Sequence, residues 1–329
     1  MATPMTPAHT LNLYGVLSES KRIVNAHSRH FLALSLLFLL PLSCSIIILP
    51  ALRLPIARSD VFSGVADHAL ISPQTLIFPI IYTLIVYILS ICALASITHS
   101  TYHGFYGRSV KLFPAIKSIV FSFFPLVSTA IAAKFILFLI SLSFLMFVVV
   151  IVKLAQNLGF VIDYNSSYFI WFCGFLGVIL SLVMVYFQVN WGLSSVVAVT
   201  ESKWGFEPLW RSSYLVNGMR SVSLSLLFVF GVLIVFLVWI GMNSLLDFGT
   251  IDEWRSFDFF LQTMITSGFL SFLTLLLLHY TAANTVLYMY CKALHGELAI
   301  EIAEEFAREY VSLPFDDAKT PHVVTVVSA

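Results

Sequence analysis

The sequence predicts an all-α, polytopic membrane helix bundle with six transmembrane helices and interfacial amphipathic helices. Three observations predict it: an apolar excess, six long stretches without charge, and an uneven placement of basic residues. Of 329 residues, 59% are hydrophobic and 10% are charged. Soluble domains run near ~45–50% apolar and ~25% charged. A water-facing surface cannot absorb that excess, so lipid must cover part of the chain. Lys plus Arg equals Asp plus Glu at seventeen each, so no basic excess draws the chain to nucleic acid. Cys44, Cys92, Cys173 and Cys291 lie in or beside apolar runs without a CxxC pair, which reads as packing among helices rather than zinc or disulfides.

The charge-free stretches place the spans. No Asp, Glu, Lys or Arg occurs over 30–52, 68–107, 135–152, 164–200, 221–246 or 259–291. A helix crosses the hydrocarbon core with ~20 mainly apolar residues. Spans are therefore expected near 31–50, 76–97, 128–152, 168–190, 222–246 and 259–281. The runs are long and unbroken, without the alternation of a membrane barrel, so helices are expected and not strands. Residues 1–30 read as a cytosolic segment with an amphipathic helix, 31–290 as the six-span domain, 291–313 as a second cytosolic amphipathic helix, and 314–329 as a disordered tail. The first span is longer than a signal-peptide core and no cleavage site follows it, so it reads as a signal anchor. Pro41 and Pro125 lack a backbone donor. A kink or break is expected at each, with Pro125 separating an interfacial helix over 109–124 from the third span.

Basic residues set the expected orientation. Lys21, Arg22, Arg29, Arg108, Lys111, Lys117, Lys203, Arg211, Arg220, Lys292, Arg308 and Lys319 fall on one side. Arg53, Arg58, Lys153 and Arg255 fall on the other, and Lys134 lies within a span. The rich side holds both termini and is expected in the cytosol, in the endomembrane system or the plasma membrane. Asn165 opens a glycosylation sequon on the side expected to be lumenal.

Three short segments resemble one another: 20–25 (SKRIVN), 109–114 (SVKLFP) and 212–217 (SSYLVN). Each precedes a basic residue and then a span. The chain therefore reads as three helical hairpins, each entered by an amphipathic helix whose Lys and Arg reach lipid phosphates. Near the C-terminus Leu294, Leu298, Ile302, Phe306 and Tyr310 recur every four residues, with Glu297, Glu301, Glu304, Glu305 and Glu309 between them. That spacing predicts one apolar face on an acidic helix. The acidic face is expected on the basic amphipathic helices, because anionic lipid repels it.

The segment 199–218 (VTESKWGFEPLWRSSYLVNG) resembles a signature of a plant six-span transmembrane family of unassigned activity. More remotely it is similar to the membrane domain that accompanies some bacterial glycerophosphodiester phosphodiesterases. Glu201, Gly205, Arg211, Ser212, Leu215 and Gly218 carry the match, and Pro208 stands where the family has Ala. The resemblance implies a membrane role in plants and supplies no catalytic residue.

Among chemistry-bearing residues, His99 and His103 share one helical face at i, i+4 spacing, and His27 and His30 are an i, i+3 pair. Without adjacent histidines they read as interfacial side chains, not metal ligands. Polar groups inside spans are expensive to bury and point to function. Lys134, Gln188, Asn190, His279 and Asn284 all fall toward the cytosolic end and are candidates to line a polar cavity. No phosphate-binding loop, nucleophile elbow or HExxH occurs. The reading is a non-enzymatic scaffold or lipid-associated protein with membrane lipids as partners and no cofactor. Its rival is a small-solute transporter or channel with Lys134, Asn190 and His279 on the path.

Overall fold

The computed structural model describes residues 12–47, 73–108, 110–159, 166–248 and 257–303. The Asn165 sequon, the apolar face beyond residue 303 and the 314–329 tail lie outside the described residues. The described residues are helical apart from short turns, with no strand among them. Helix α1 spans Leu13–Ala26 and α2 spans Ser28–Ile47. Next come α3 (Pro73–Phe105), α4 (Leu112–Asn157), α5 (Ser167–Trp191) and α6 (Ser194–Thr200). They are followed by α7 (Glu207–Leu215), α8 (Arg220–Phe248) and α9 (Phe257–Leu294). A last helix, α10, runs over 297–303. Among the described residues, six helical stretches are long and apolar enough to cross a membrane: α2, α3, α4, α5 continuing through α6, α8 and α9. Each matches one of the six expected spans.

The packed core sits at one end of the bundle. Val16, Ile23 and Val24 of α1 meet Phe31 and Leu34 of α2, Ile97 of α3 and Leu215 of α7 there. The final turns of α9, from Leu278 to Cys291, complete it. Lipid-immersed helices gain little from apolar burial and associate by close packing instead. The stretch from Thr281 to Thr285 accordingly presents small buried residues, including Ala282 and Ala283 at 0% exposure. This end also carries α1, α7, α10 and the 201–206 loop, and is called the polar end below.

The first and third members of the internal repeat superpose in role. Ser20, Ile23 and Val24 are buried, as are Ser212, Leu215 and Val216. Each segment is followed by a break and then a span, which starts eight residues after the serine in both copies. The second member departs. Leu112 and Phe113 are exposed, and α4 runs unbroken through Pro125 for 46 residues. The expected break there is corrected by packing. Ile119 and Phe123 before the proline join one apolar cluster with Leu126 and Val127 after it, against Ile91 and Ala95 of α3. Both halves of α4 are thus pinned to the same neighbour, which tolerates the missing donor.

At Pro41 the expected distortion takes the form of a π-helical turn over Ser35–Leu39, where the Leu40 N–H donates to the Ser35 carbonyl. A widened turn just ahead of a proline relieves its ring from the preceding carbonyls. The C-terminal acidic helix also differs from expectation. It is no continuation of the face begun at Leu294, because Gly296 adopts φ +75° and turns the chain.

Candidate functional site

Two polar constellations occupy the polar end. The first is built on the segment 199–218. After α6 the chain turns through Ser202 and Gly205, both at positive φ, and the Gly205 N–H donates to Ser128 Oγ of α4 at 3.1 Å. That loop sets Glu201 beside α7, where Arg211 Nε donates to Glu201 Oε1 at 3.3 Å. The other side of the guanidinium grips Glu297 of α10, with Nη1 to Oε1 at 3.0 Å and Nη2 on Oε2. Such forked pairs are the strong ones. Tyr288 of α9, fully buried, donates its hydroxyl to Glu201 at 3.0 Å. Lys203 closes the near side on Glu207 at 2.9 Å and Glu201 at 3.5 Å. Ser212 donates to the Asn190 carbonyl at 2.7 Å and so ties α7 to α5. Leu215 is fully buried. Gly218 has φ +104°, and a Cβ on it would lie 3.0 Å from Leu294 Cδ2. Every residue that carries the signature therefore has a placement that its type explains.

A second bridge lies alongside. Lys292 of α9 meets Glu301 of α10 at 2.6 Å, and Tyr102 of α3 donates to the same carboxylate at 2.7 Å. Burial alone would raise the Glu301 carboxyl, but Lys292 and Tyr102 outweigh it and hold it below the ordinary carboxylate range. Burial likewise disfavours the charge on Arg211, yet Glu297 and Glu201 together hold it more firmly protonated than usual. Lys203 is raised chiefly by its bond to Glu207. The arrangement fastens α3, α7, α9, α10 and the 201–206 loop to one another, and its carboxylates are occupied by cations. It locks these elements together at the polar end.

The second constellation is a cavity of about 230 Å³. Lys134 of α4, Gln188 and Trp191 of α5, Ser195 of α6, and Tyr280 and Asn284 of α9 line it. The structure thus brings together Lys134, Gln188 and Asn284 of the five expected polar residues. Asn190 and His279 stand apart. Asn190 is buried and turns its amide back to the Tyr186 carbonyl at 2.8 Å. His279 Nδ1 lies 2.9 Å from the Leu275 carbonyl. Each bonds its own helix, a local solution that residue type and depth do not reveal, and the buried Asn190 Oδ1 is left without a partner. Sequence reasoning missed Tyr280 and Ser195. Their signal was the i, i+4 spacing of Tyr280 and Asn284 on one face of the sixth span.

The two histidine pairs also meet. His30 Nε2 lies 2.9 Å from Ser100 Oγ, and His99 and His103 approach at 3.2 Å through their Nε2 atoms. Among the described residues no three His, Cys, Asp or Glu side chains are grouped to hold a metal ion.

Six lipid-length helices, locked at one end and opened by a cavity beside an intramembrane lysine, define a polytopic α-helical integral membrane protein. The chain belongs to the family described as Domain of unknown function (DUF8558), which matches residues 1–319. No curated protein and no solved structure matches it.

Proposed function

We propose that this protein is a non-enzymatic, lipid-associated organiser of the membrane. The observation that carries this reading is the state of the third and fourth spans. None of the residues in their most apolar windows is buried in protein. Phe135, Phe138, Leu139, Leu142 and Leu145 of α4 point outward around the helix, as do Trp171, Phe175 and Leu182 of α5. A hairpin with apolar side chains on all faces has lipid as its solvent. The polar end is meanwhile fixed by ion pairs, so lipid contact and a rigid base are segregated. The excess of basic residues supports a cytosolic polar end. The resemblance to the plant six-span family agrees with a membrane role.

The second reading, a small-solute transporter, draws on the cavity that gathers Lys134, Gln188 and Asn284. The two separate in one experiment. The protein is extracted in a lipid-retaining polymer, its bound molecules are identified by mass spectrometry, and reconstituted vesicles are tested for solute uptake. The organiser retains phospholipid and moves no solute. Retention of a polar metabolite together with its uptake would reverse the choice.

A further inference from the structure

Lys134 is a cation inside a span, and among the described residues no carboxylate meets it. Its depth follows from Ser128, which bonds the 201–206 loop at the polar end. Six residues further along α4 is about 9 Å. Helix side chains tilt toward the helix N-terminus, which for α4 lies at the polar end. The ammonium therefore reaches back toward headgroup depth. Around the same cavity stand the Gln188 amide, the Ser195 and Tyr280 hydroxyls and Asn284, with no Asp or Glu in the lining. A donor-rich, acid-free pocket suits an anion with several acceptor oxygens. It offers no carboxylate to a headgroup ammonium.

The pocket does not end in protein. It shares Leu94, Ala130 and Ala133 with an apolar cavity of about 300 Å³ lined by Ile91, Leu126 and Leu277. That cavity shares Tyr87 with an open groove descending α3 through Leu84 to Pro79. From Leu94 to Pro79 is about 22 Å of helix, longer than the ~15 Å half-thickness of a bilayer core. Ile80 and Leu84 of this groove are exposed, as are Ile131 and Phe135 of an adjoining groove that shares Tyr87 with it and reaches Lys134.

We propose that this cleft binds one anionic glycerophospholipid from the leaflet at the polar end. Its phosphate sits on Lys134, Gln188 and Tyr280, and an acyl chain lies along α3 between Leu94 and Pro79. The proposal rests on the lipid-associated reading and gives it a lipid class and a seat.

The test is native mass spectrometry of the full chain released from nanodiscs of phosphatidylcholine doped with phosphatidic acid. Wild-type protein retains one phosphatidic acid in preference to phosphatidylcholine. Lys134→Met lowers that retention about tenfold, the size of one charge-assisted hydrogen bond, and Lys134→Arg preserves it. Ala130→Phe keeps the lysine but fills the groove, and abolishes retention as well. This second variant decides the matter where Lys134→Met fails to fold. Equal retention by wild type and both variants overturns the proposal and leaves the lipid-associated reading standing. Displacement of the lipid by inorganic phosphate also overturns it, because the site is then a headgroup-only anion site. Wild-type protein that retains no lipid of either kind overturns both.

Discussion

A Cβ built on Gly104 would lie 2.8 Å from Ile23 Cγ2, on the buried face of α1. Glycine is needed there because α1 crosses α3 with no room for a methyl group. Gly104→Ala must push Ile23 out of the core, and overpacking of this kind costs about 1–3 kcal/mol. A lowered melting temperature in detergent is expected, whereas Gly174→Ala in α5, with nothing within 4 Å, leaves it unchanged or slightly raised. Arg211 is a second sensitive residue. Arg211→Met strands Glu297 and leaves Glu201 to Lys203 and Tyr288, both carboxylates being more than two-thirds buried, and removal of one partner from such a cluster costs about 3 kcal/mol. Arg211→Lys recovers only part of that, since an ammonium cannot serve two carboxylates in the forked geometry. Thermal unfolding of the three proteins side by side checks the order wild type, Lys, Met. At this scale sequence singles out the segment 199–218 but not the partners of its charged residues. Tyr288 and Glu297 lie 87 and 86 residues away from Glu201 and Arg211, and only the fold places them there.

Among the elements, α4 and α10 show how packing overrules local preference. A proline in an apolar run predicts a break, yet clusters on both sides of Pro125 bind α4 to α3 and hold it continuous. The second copy of the repeat therefore lacks the hinge of the others, although its sequence looks the same. Periodicity extended the C-terminal face back to Leu294, whereas the positive φ of Gly296 ends α9 and starts α10 afresh. Glu297 of that helix pairs with Arg211 of α7, and Glu301 pairs with Lys292 at the end of α9. The attachment of α10 should depend on pH. The Glu301 carboxyl is held below its ordinary range, so its contribution is complete above the unfolded carboxylate value near ~4.3. It is lost as pH falls through the lower folded value. Protection from hydrogen exchange at 297–303, taken relative to the intrinsic rate at each pH, should fall as the pH drops below about 4. Glu301→Gln, which cannot titrate, should exchange faster at neutral pH and respond less to acid. Exchange that is equally slow in both proteins across that range would show that α10 is held by its apolar side, through Leu298, rather than by Lys292.

Over the whole molecule, the distribution of charge ties fold to membrane. The six spans were legible because bilayer thickness sets their length and charge marks their ends. What sequence could not supply was the unequal burial of the spans. The ends of α3 and α9 are packed in protein, whereas the outer part of α4 and most of α5 are not. Helix α4 is about 69 Å long at 1.5 Å per residue, more than twice the ~30 Å core. It cannot lie wholly in lipid across its thickness. Its first turns pack on α3 beside the polar end, and Ser128 marks the level of the 201–206 loop. From Ser128 to Asn157 is about 44 Å, long enough to carry the end of α4 beyond a ~30 Å core. Six spans among the described residues are an even number, so the orientation proposed above predicts both termini on the polar side. Engineered glycosylation sites placed well inside the 51–75 and 247–258 segments should be modified, and sites near Gly107, Lys203 and Ala318 should remain bare. Modification near Lys203 would reverse the orientation, because that lysine belongs to the loop that anchors α4, α7 and α10 at one end. Modification near both Gly107 and residues 51–75 in the same protein would contradict a single crossing by α3, since that helix alone joins them.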